Sequence, residues 1–174
     1  MGIKSKKGVE WVSTVLYTLI SLALMGILLA AVQPRIAELK DNYVISQTID
    51  SLNVLDETIS NARVAEGTVL KYSMQLQKGN LVIDGQNDRI IWQSDSNYQY
   101  SEINKTVTVG VISALTEKKG NGYNVRLEMN YPQINLTFSG SDSWKTFNPA
   151  SVPYAIWIKN NGIVNKKLWM DLSE

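Results

Sequence analysis

The 174-residue chain contains no cysteine and no histidine. Disulfides, thiol nucleophiles and imidazole bases are therefore absent, and so are the usual zinc ligand sets. The chain also lacks an excess of either charge, because 17 basic and 16 acidic residues leave a net charge of only +1. A balanced chain without a basic patch does not predict nucleic-acid binding. With carboxylates as the main catalytic groups left and no catalytic constellation visible, the composition disfavours an enzyme; a hydrolase using carboxylates alone is the remaining catalytic alternative.

Long apolar runs are missing everywhere except near the N-terminus, where Trp11 to Val32 contains no charged residue. As a helix rising about 1.5 Å per residue, this segment would be roughly 33 Å long, which is enough to cross a bilayer core. The apolar region of a cleaved secretory signal is shorter, about 7–15 residues. Lys4, Lys6 and Lys7 precede the run, so we expect a cytoplasmic N-terminus and an outward-facing remainder.

A carboxylate, Glu10, stands almost at the head of this run, although an acid near the membrane is costly. At the membrane edge it could simply reach water. The alternative comes from a family: Lys6-Lys7-Gly8 followed by Val9-Glu10 and a long apolar helix resembles the class III signal peptide of archaeal type IV pilin-like proteins.

In that family a prepilin peptidase cuts before the apolar helix, and the helix is retained as the packing core of a filament. The resemblance implies a leader over residues 1–8 and a cut between Gly8 and Val9. The new amine of Val9 could then pair with Glu10 of a neighbouring subunit. It also implies that copies of the chain or related pilins are its partners, together with an assembly ATPase and platform, without a cofactor.

Within residues 9–33, the transmembrane or filament-core segment, small residues would allow helices to approach closely. These are Ser21, Gly26 and Ala30, of which the last two form a small-xxx-small pair. Pro34 then removes one helical hydrogen bond and predicts a kink.

Residues 34–66 predict an amphipathic continuation of the helix. Its apolar positions follow at spacings of mostly three and four: Ile36, Leu39, Tyr43, Ile45, Ile49, Leu52, Leu55, Ile59 and Ala62. Gly67 is a natural stop. We expect the C-terminal domain to cover this stripe; a short coiled coil with another copy is the alternative.

From Thr68 the apolar period changes to two, which indicates β-strands over residues 67–174. Seven to nine short strands are expected, with turns at Lys78-Gly79-Asn80, Asp84–Asp88, Gly120-Asn121-Gly122 and Asn160-Asn161-Gly162. The predicted fold class is α+β: a long N-terminal helix, apolar and then amphipathic, followed by an antiparallel sheet or β-sandwich head.

The head carries two N-glycosylation triplets, at Asn104 and Asn135, although a chain this rich in Asn, Ser and Thr has roughly two by chance. Asp84, Asp88 and Asp95 could hold calcium but lack the spacing of an EF-hand, and a plain turn is the favoured interpretation.

The leading functional expectation is a structural subunit of a type IV pilus-like surface filament, first in the membrane and then at the cell surface. The alternative is an uncleaved single-pass anchor that displays a β domain for ligand binding or adhesion.

Overall fold

The structure, a computed structural model, describes the backbone from Lys6 and the side chains from Trp11 to the C-terminus at Glu174. One helix, α1, spans Lys6–Ala62 and continues through Pro34. The predicted resumption of the helix after Pro34 is therefore confirmed, while the kink itself stays a prediction. The helix ends four residues before the predicted end at 66, and turns connect it to Gly67, which adopts a φ of +80°.

Ten strands follow the helix, one more than the upper limit of the prediction. The strands are β1 Val69–Met74, β2 Asn80–Asp84, β3 Arg89–Ser96, β4 Thr106–Val109, β5 Ile112–Lys119, β6 Gly122–Asn130, β7 Ile134–Phe138, β8 Trp144–Phe147, β9 Tyr154–Val164 and β10 Lys167–Ser173.

These strands form two sheets. The four-stranded sheet has the order β1-β9-β10-β7, and the six-stranded sheet has the order β4-β5-β6-β3-β2-β8. All neighbouring strands are antiparallel except β10 and β7, which pair in parallel. The predicted α+β class, a long helix followed by an antiparallel-dominated β head, is confirmed.

The upper half of α1 belongs to the core of the head. It packs against β1 and β9 of one sheet and β5 of the other. Leu52, Leu55 and Ile59 are at most 1% exposed. Side chains from both sheets complete the same cluster, among them Trp92, Leu127, Ile158 and Met170. The expectation that the C-terminal domain covers the amphipathic stripe holds from Val44 upward.

The lower part of the predicted stripe is wrong. Ile36, Leu39 and Tyr43 are 57–68% exposed, whereas Ile45 is buried. Each residue advances about 100° around a helix, so Tyr43 and Ile45 lie about 200° apart and face opposite sides. The spacings of three and four hid a second apolar stripe that the head does not cover.

The predicted Asn160-Asn161-Gly162 turn is also wrong, because β9 continues through these residues to Val164. The hairpin closes instead at Asn165-Lys166, both with positive φ, as a two-residue hairpin turn requires. The pairing of β9 with β10 shifts between Leu168 and Met170, so the Asn-Gly pair forms a bulge inside the strand.

The turns at Lys78-Gly79, Gly85–Asp88 and Gly120-Asn121 are confirmed. Val111 continues the apolar alternation of Val107 and Val109 in the sequence, but it lies in the two-residue turn between β4 and β5. Gly110 precedes it with a φ of +63°, and this conformation allows the tight reversal.

Candidate functional site: the exposed helix and its junction with the head

The lower half of α1 contacts no other part of the described chain closely enough to be covered. Fourteen large apolar side chains between Trp11 and Val32 are 47–76% exposed. The helix is long and apolar enough to cross a membrane, and its most apolar window is not buried by the head at all. Thr18 does not add a free polar group, because its hydroxyl donates to the carbonyl of Thr14 at 2.8 Å. This surface is therefore apolar and uncovered over the length that a membrane-spanning helix needs.

The predicted leader junction and pairing residue, Gly8, Val9 and Glu10, lie outside the residues whose side chains the structure describes. These predictions therefore stay predictions. The backbone helix that contains them begins at Lys6.

The three small residues do not form one face. Gly26 and Ala30 lie about one turn apart on the same side, whereas Ser21 lies about 180° from Ala30 at 100° per residue. All three are exposed, and a Cβ added at Gly26 would meet no atom within 4 Å. The side of the helix with room for a close neighbour is therefore that of Gly26 and Ala30.

The helix enters the head at a charged junction formed by Asp41, Lys78 and Asn97. Asp41 is 6% exposed although it lies on the helix only nine residues beyond Val32. The Lys78 ammonium donates to its Oδ1, and Asn97 donates to Oδ2 through its backbone N–H at 2.7 Å and its side-chain amide at 2.9 Å. Both oxygens of the buried carboxylate thus accept at least one hydrogen bond from the head.

Burial by itself disfavours the charged form of Asp41 and would raise its pKa. The hydrogen bonds from Asn97 and Lys78, with the attraction of the Lys78 charge, outweigh burial and hold the pKa of Asp41 below its usual value. Asp41 is therefore charged at neutral pH. The partly buried ion pair between Asp41 and Lys78 therefore holds the exposed helix to the head.

Polar contacts continue along the helix above the junction. Gln77 donates to Gln47 at 3.1 Å, and the Tyr72 hydroxyl donates to the carbonyl of Ser51 at 2.6 Å. Burial raises the pKa of Tyr72 to about 12, so its phenol stays neutral. The Tyr131 hydroxyl donates to Asp56 at 3.0 Å.

The end of the helix is held by Asn160. Its side-chain amide donates to the carbonyls of Ala62 and Ala65 at 3.0 and 3.1 Å, and its Oδ1 accepts the N–H of Gly162 at 2.8 Å. The carbonyl of Ala62, one of those left unpaired at a helix C-terminus, thereby finds a donor, as does that of Ala65 in the following turn. Asn160 is 1% exposed, and this role is the reason why the Asn-Gly pair does not serve as a turn.

Sequence reasoning missed Asp41, Asn97 and Asn160. For Asp41 a signal existed, since it sits on the side of the helix that carries Ile45 and Leu52 rather than on the polar side. For Asn97 and Asn160 the sequence carries no signal, because both resemble ordinary loop residues and their partners are distant in the chain.

The acidic residues of the head do not converge. Asp84 accepts hydrogen bonds from Asn87 and Arg89, whereas Asp88 accepts from Lys167 and from the N–H of Leu136. Asp95 pairs with Lys119 elsewhere. In the part of the chain that the structure describes, no three acidic side chains are arranged to hold a metal ion.

The two glycosylation triplets lie in different environments. Asn104 is exposed in a turn before β4, and Lys105 and Thr106 beside it are exposed as well. Asn135 is half-buried in β7, where its amide donates to Asp142 at 3.3 Å, and Thr137 of the same triplet is 1% exposed. The geometry favours Asn104 as an acceptor.

Comparisons with protein-family models, with curated proteins and with solved structures found no match to this chain.

Proposed function

We propose that this protein is a structural subunit of a type IV pilus-like surface filament, similar to archaeal pilins. The observation that supports the proposal best is one continuous helix whose lower half is apolar and uncovered while its upper half forms the core of a β head. In this proposal the lower half is first surrounded by lipid and later by the same helices of neighbouring subunits. The subunit itself catalyses nothing.

Magnitudes explain why the exposed helix needs one of these two environments. Burying a large apolar side chain stabilises by about 1.5–3 kcal/mol. Fourteen such side chains, each 47–76% exposed, therefore account for on the order of 10–25 kcal/mol, which is comparable with or larger than the typical net stability of a domain, about 5–15 kcal/mol. A helix surrounded by lipid or by equivalent helices keeps this contribution in both states, so transfer between them exposes little apolar surface to water.

In the proposed maturation, the peptidase cuts between Gly8 and Val9. The amine released at Val9 is a cation, and Glu10 of an adjacent copy pairs with it. This explains why a carboxylate is tolerated at the head of an apolar helix: it lies at the membrane edge in the precursor and becomes neutralised in the filament.

A second candidate is an uncleaved single-pass anchor that displays the head for ligand binding or adhesion. The ion pair and hydrogen bonds at Asp41 support this candidate, because they hold the head on its helix without another subunit. The two candidates differ in their N-terminus and in their state of assembly.

Intact-mass measurement and N-terminal sequencing of the native protein separate them. The filament proposal expects Val9 as the first residue and expects long polymers in a sheared cell-surface fraction. Met1 or Gly2 at the N-terminus, with the protein confined to membranes, would establish the anchor instead.

Two variants test the maturation step. Gly8→Leu is expected to block processing and leave a membrane-bound precursor. Glu10→Ala is expected to insert and be processed normally but to assemble at least tenfold less. The lost pair with the Val9 amine contributes about 1.5 kcal/mol or more, and about 1.4 kcal/mol corresponds to a tenfold change in an equilibrium constant. Normal processing of the first variant contradicts the cut, and normal filaments from the second contradict the pairing role.

A further inference from the structure

The upper half of α1 has a surface that the head leaves free, here called the outer face. It consists of the exposed residues Ile36, Leu39, Lys40, Tyr43, Asp50, Val54 and Glu57. At about 100° per residue they fall within about 100° of the helix circumference. The buried residues Ile45, Leu52 and Ile59 lie on the opposite side. The outer face continues upward from the exposed apolar surface that ends at Val32.

Charge is unevenly distributed along the outer face. Its lower end carries Lys40, with Arg35 at its edge, and its upper end carries Asp50 and Glu57. Among the side chains from residue 11 onward, Lys40, Asp50 and Glu57 take part in no ion pair, and Arg35 pairs only with its exposed neighbour Glu38 at 3.0 Å. The face is thus apolar and basic below, and mostly polar and acidic above, around Val54.

We propose that the outer face binds the outer face of a second copy of this chain, parallel to it and shifted along the helix axis by about 15 residues, or roughly 22 Å. At this shift Leu39 of one copy lies against Val54 of the other. Lys40 then lies about 3 Å along the axis from the level of Glu57, so its long side chain can reach the Glu57 carboxylate of the other copy. This inference rests on the proposed function, which supplies copies with the same orientation.

The charge pattern selects the shifted arrangement. Copies that share one membrane are parallel, and unshifted pairing would place Lys40 against Lys40 and Glu57 against Glu57. Like charges in contact are destabilising, and such repulsion excludes a competing arrangement. Shifting one copy removes both repulsions and replaces them with one attraction, between Lys40 of one copy and Glu57 of the other. Exposed ion pairs contribute little energy, so the apolar contacts hold the copies together while the charges determine the register.

Lipid does not account for the whole outer face. Val54 lies roughly 33 Å along the helix beyond Val32, at the level of the head and away from the bilayer. Because the head covers the opposite side, outer faces that converge place all heads outward. Each copy then uses its lower end with one neighbour and its upper end with another, so the contact continues instead of closing into a dimer.

Reversing charges tests the register. Lys40→Glu and Glu57→Lys are each expected to lower the amount of sheared surface polymer by about fivefold or more, and the double variant is expected to return to within about twofold of the wild type. Lys166→Glu and Glu117→Lys make the same charge changes on the exposed surface of the head and should assemble normally. Failure of the double variant to recover, or equal losses in the head variants, would overturn the pairing.

Cross-linking tests the geometry directly, because the chain has no cysteine of its own. Leu39→Cys with Val54→Cys in the same chain should give, on oxidation of native polymers, a ladder of covalent oligomers. Each single variant should remain monomeric on a non-reducing gel. Dimers from either single variant would indicate level pairing, and dimers without a ladder from the double variant would indicate antiparallel pairing; both overturn the inference.

The wild-type chain, measured in parallel, keeps the two proposals apart. Polymers with Val9 at their N-terminus, but without cross-links in the double cysteine variant, would overturn the shifted outer-face contact and leave the filament. Wild-type protein that begins at Met1 and forms no polymer would overturn the filament itself.

Discussion

Asp41 ties the helix to the head at the level where the helix leaves the core. A carboxylate is rarely buried unless it is paired. Asp41 meets this condition through Lys78 and Asn97, which come from two different loops of the head. Both loops must be in place before the carboxylate can be buried.

Replacing Asp41 by asparagine is expected to lower the free energy of unfolding by about 1–3 kcal/mol, because Lys78 loses its counter-ion and the new amide faces other donors. Chemical unfolding of the full chain in detergent measures this change. The matched control is Asp50→Asn, an exposed position on the same helix, for which a change within about 0.5 kcal/mol is expected. Equal effects of the two substitutions would contradict the role of the junction.

The same carboxylate predicts an acid dependence. Its pKa in the fold lies below the usual unfolded value of about 4. The charged form therefore stabilises the fold at pH above about 4, and this contribution is lost as the pH falls through the lower folded pKa. Unfolding free energies of the wild type and of Asp41→Asn, measured against pH, should differ near neutrality and converge in acid. A constant difference would show that ionisation of Asp41 is not the cause.

For glycosylation, exposure of the acceptor separates the two triplets. We expect glycan mass at Asn104 of the native protein and none at Asn135, whose amide is engaged with Asp142 and whose Thr137 is buried. Peptide mass spectrometry with the variants Asn104→Gln and Asn135→Gln checks this. A glycan found on Asn135, or an unmodified Asn104 peptide, would contradict the expectation.

Elements of this chain begin and end where tertiary partners allow it. The helix ends at Ala62, and the pairing of β9 with β10 bulges at Asn161-Gly162, for one shared reason. Asn160 donates its amide to the last helix carbonyl, that of Ala62, and to that of Ala65 in the turn after it, instead of reversing the chain. A local turn signal thus yields to a contact between residues almost one hundred positions apart.

The variant Asn160→Ala is expected to destabilise the head by about 1–3 kcal/mol, because the carbonyls of Ala62 and Ala65 and the N–H of Gly162 lose their partner in a buried site. Hydrogen exchange should also become faster in the last turn of the helix. Asn161→Ala, at the exposed neighbouring position, serves as the control and should change little. Unaltered exchange at the helix end in Asn160→Ala would count against this capping role.

At the scale of the whole molecule, the chain combines a self-sufficient head with a helix that extends far beyond it. The core cluster begins at Val44, and the side chains from Trp11 to Val32 contribute nothing to it. The longest uncovered apolar surface therefore lies in this one segment, outside the core of the head.

A fragment that begins at Pro34 is expected to be soluble and folded, because it keeps both sheets, the junction and all of the described core. Size-exclusion chromatography and circular dichroism check this, with a cooperative unfolding transition as the criterion. The full chain without detergent or membrane should aggregate under the same conditions. A fragment that is unfolded or aggregates would show that the lower helix stabilises the head.

Patterns with short range were readable from the sequence. The apolar run, the resumption of the helix after Pro34, the change of period at Thr68 and the turns at Gly79 and Gly120 depend on neighbouring residues, and they identified the α+β architecture. Side-chain identity and spacing suffice for these features because hydrophobic periodicity and backbone preferences act locally.

What the sequence by itself determined is thus the order of the elements and the one segment that must avoid water. Tertiary structure alone decided which side of the helix the head covers, where the helix ends and which asparagine serves as a cap. It left Ile36, Leu39 and Tyr43 uncovered although they continue the apolar spacing, because a rotation of about 200° separates Tyr43 from Ile45. Burial requires two surfaces that meet, and the spacing of apolar residues along one helix describes only one of those surfaces.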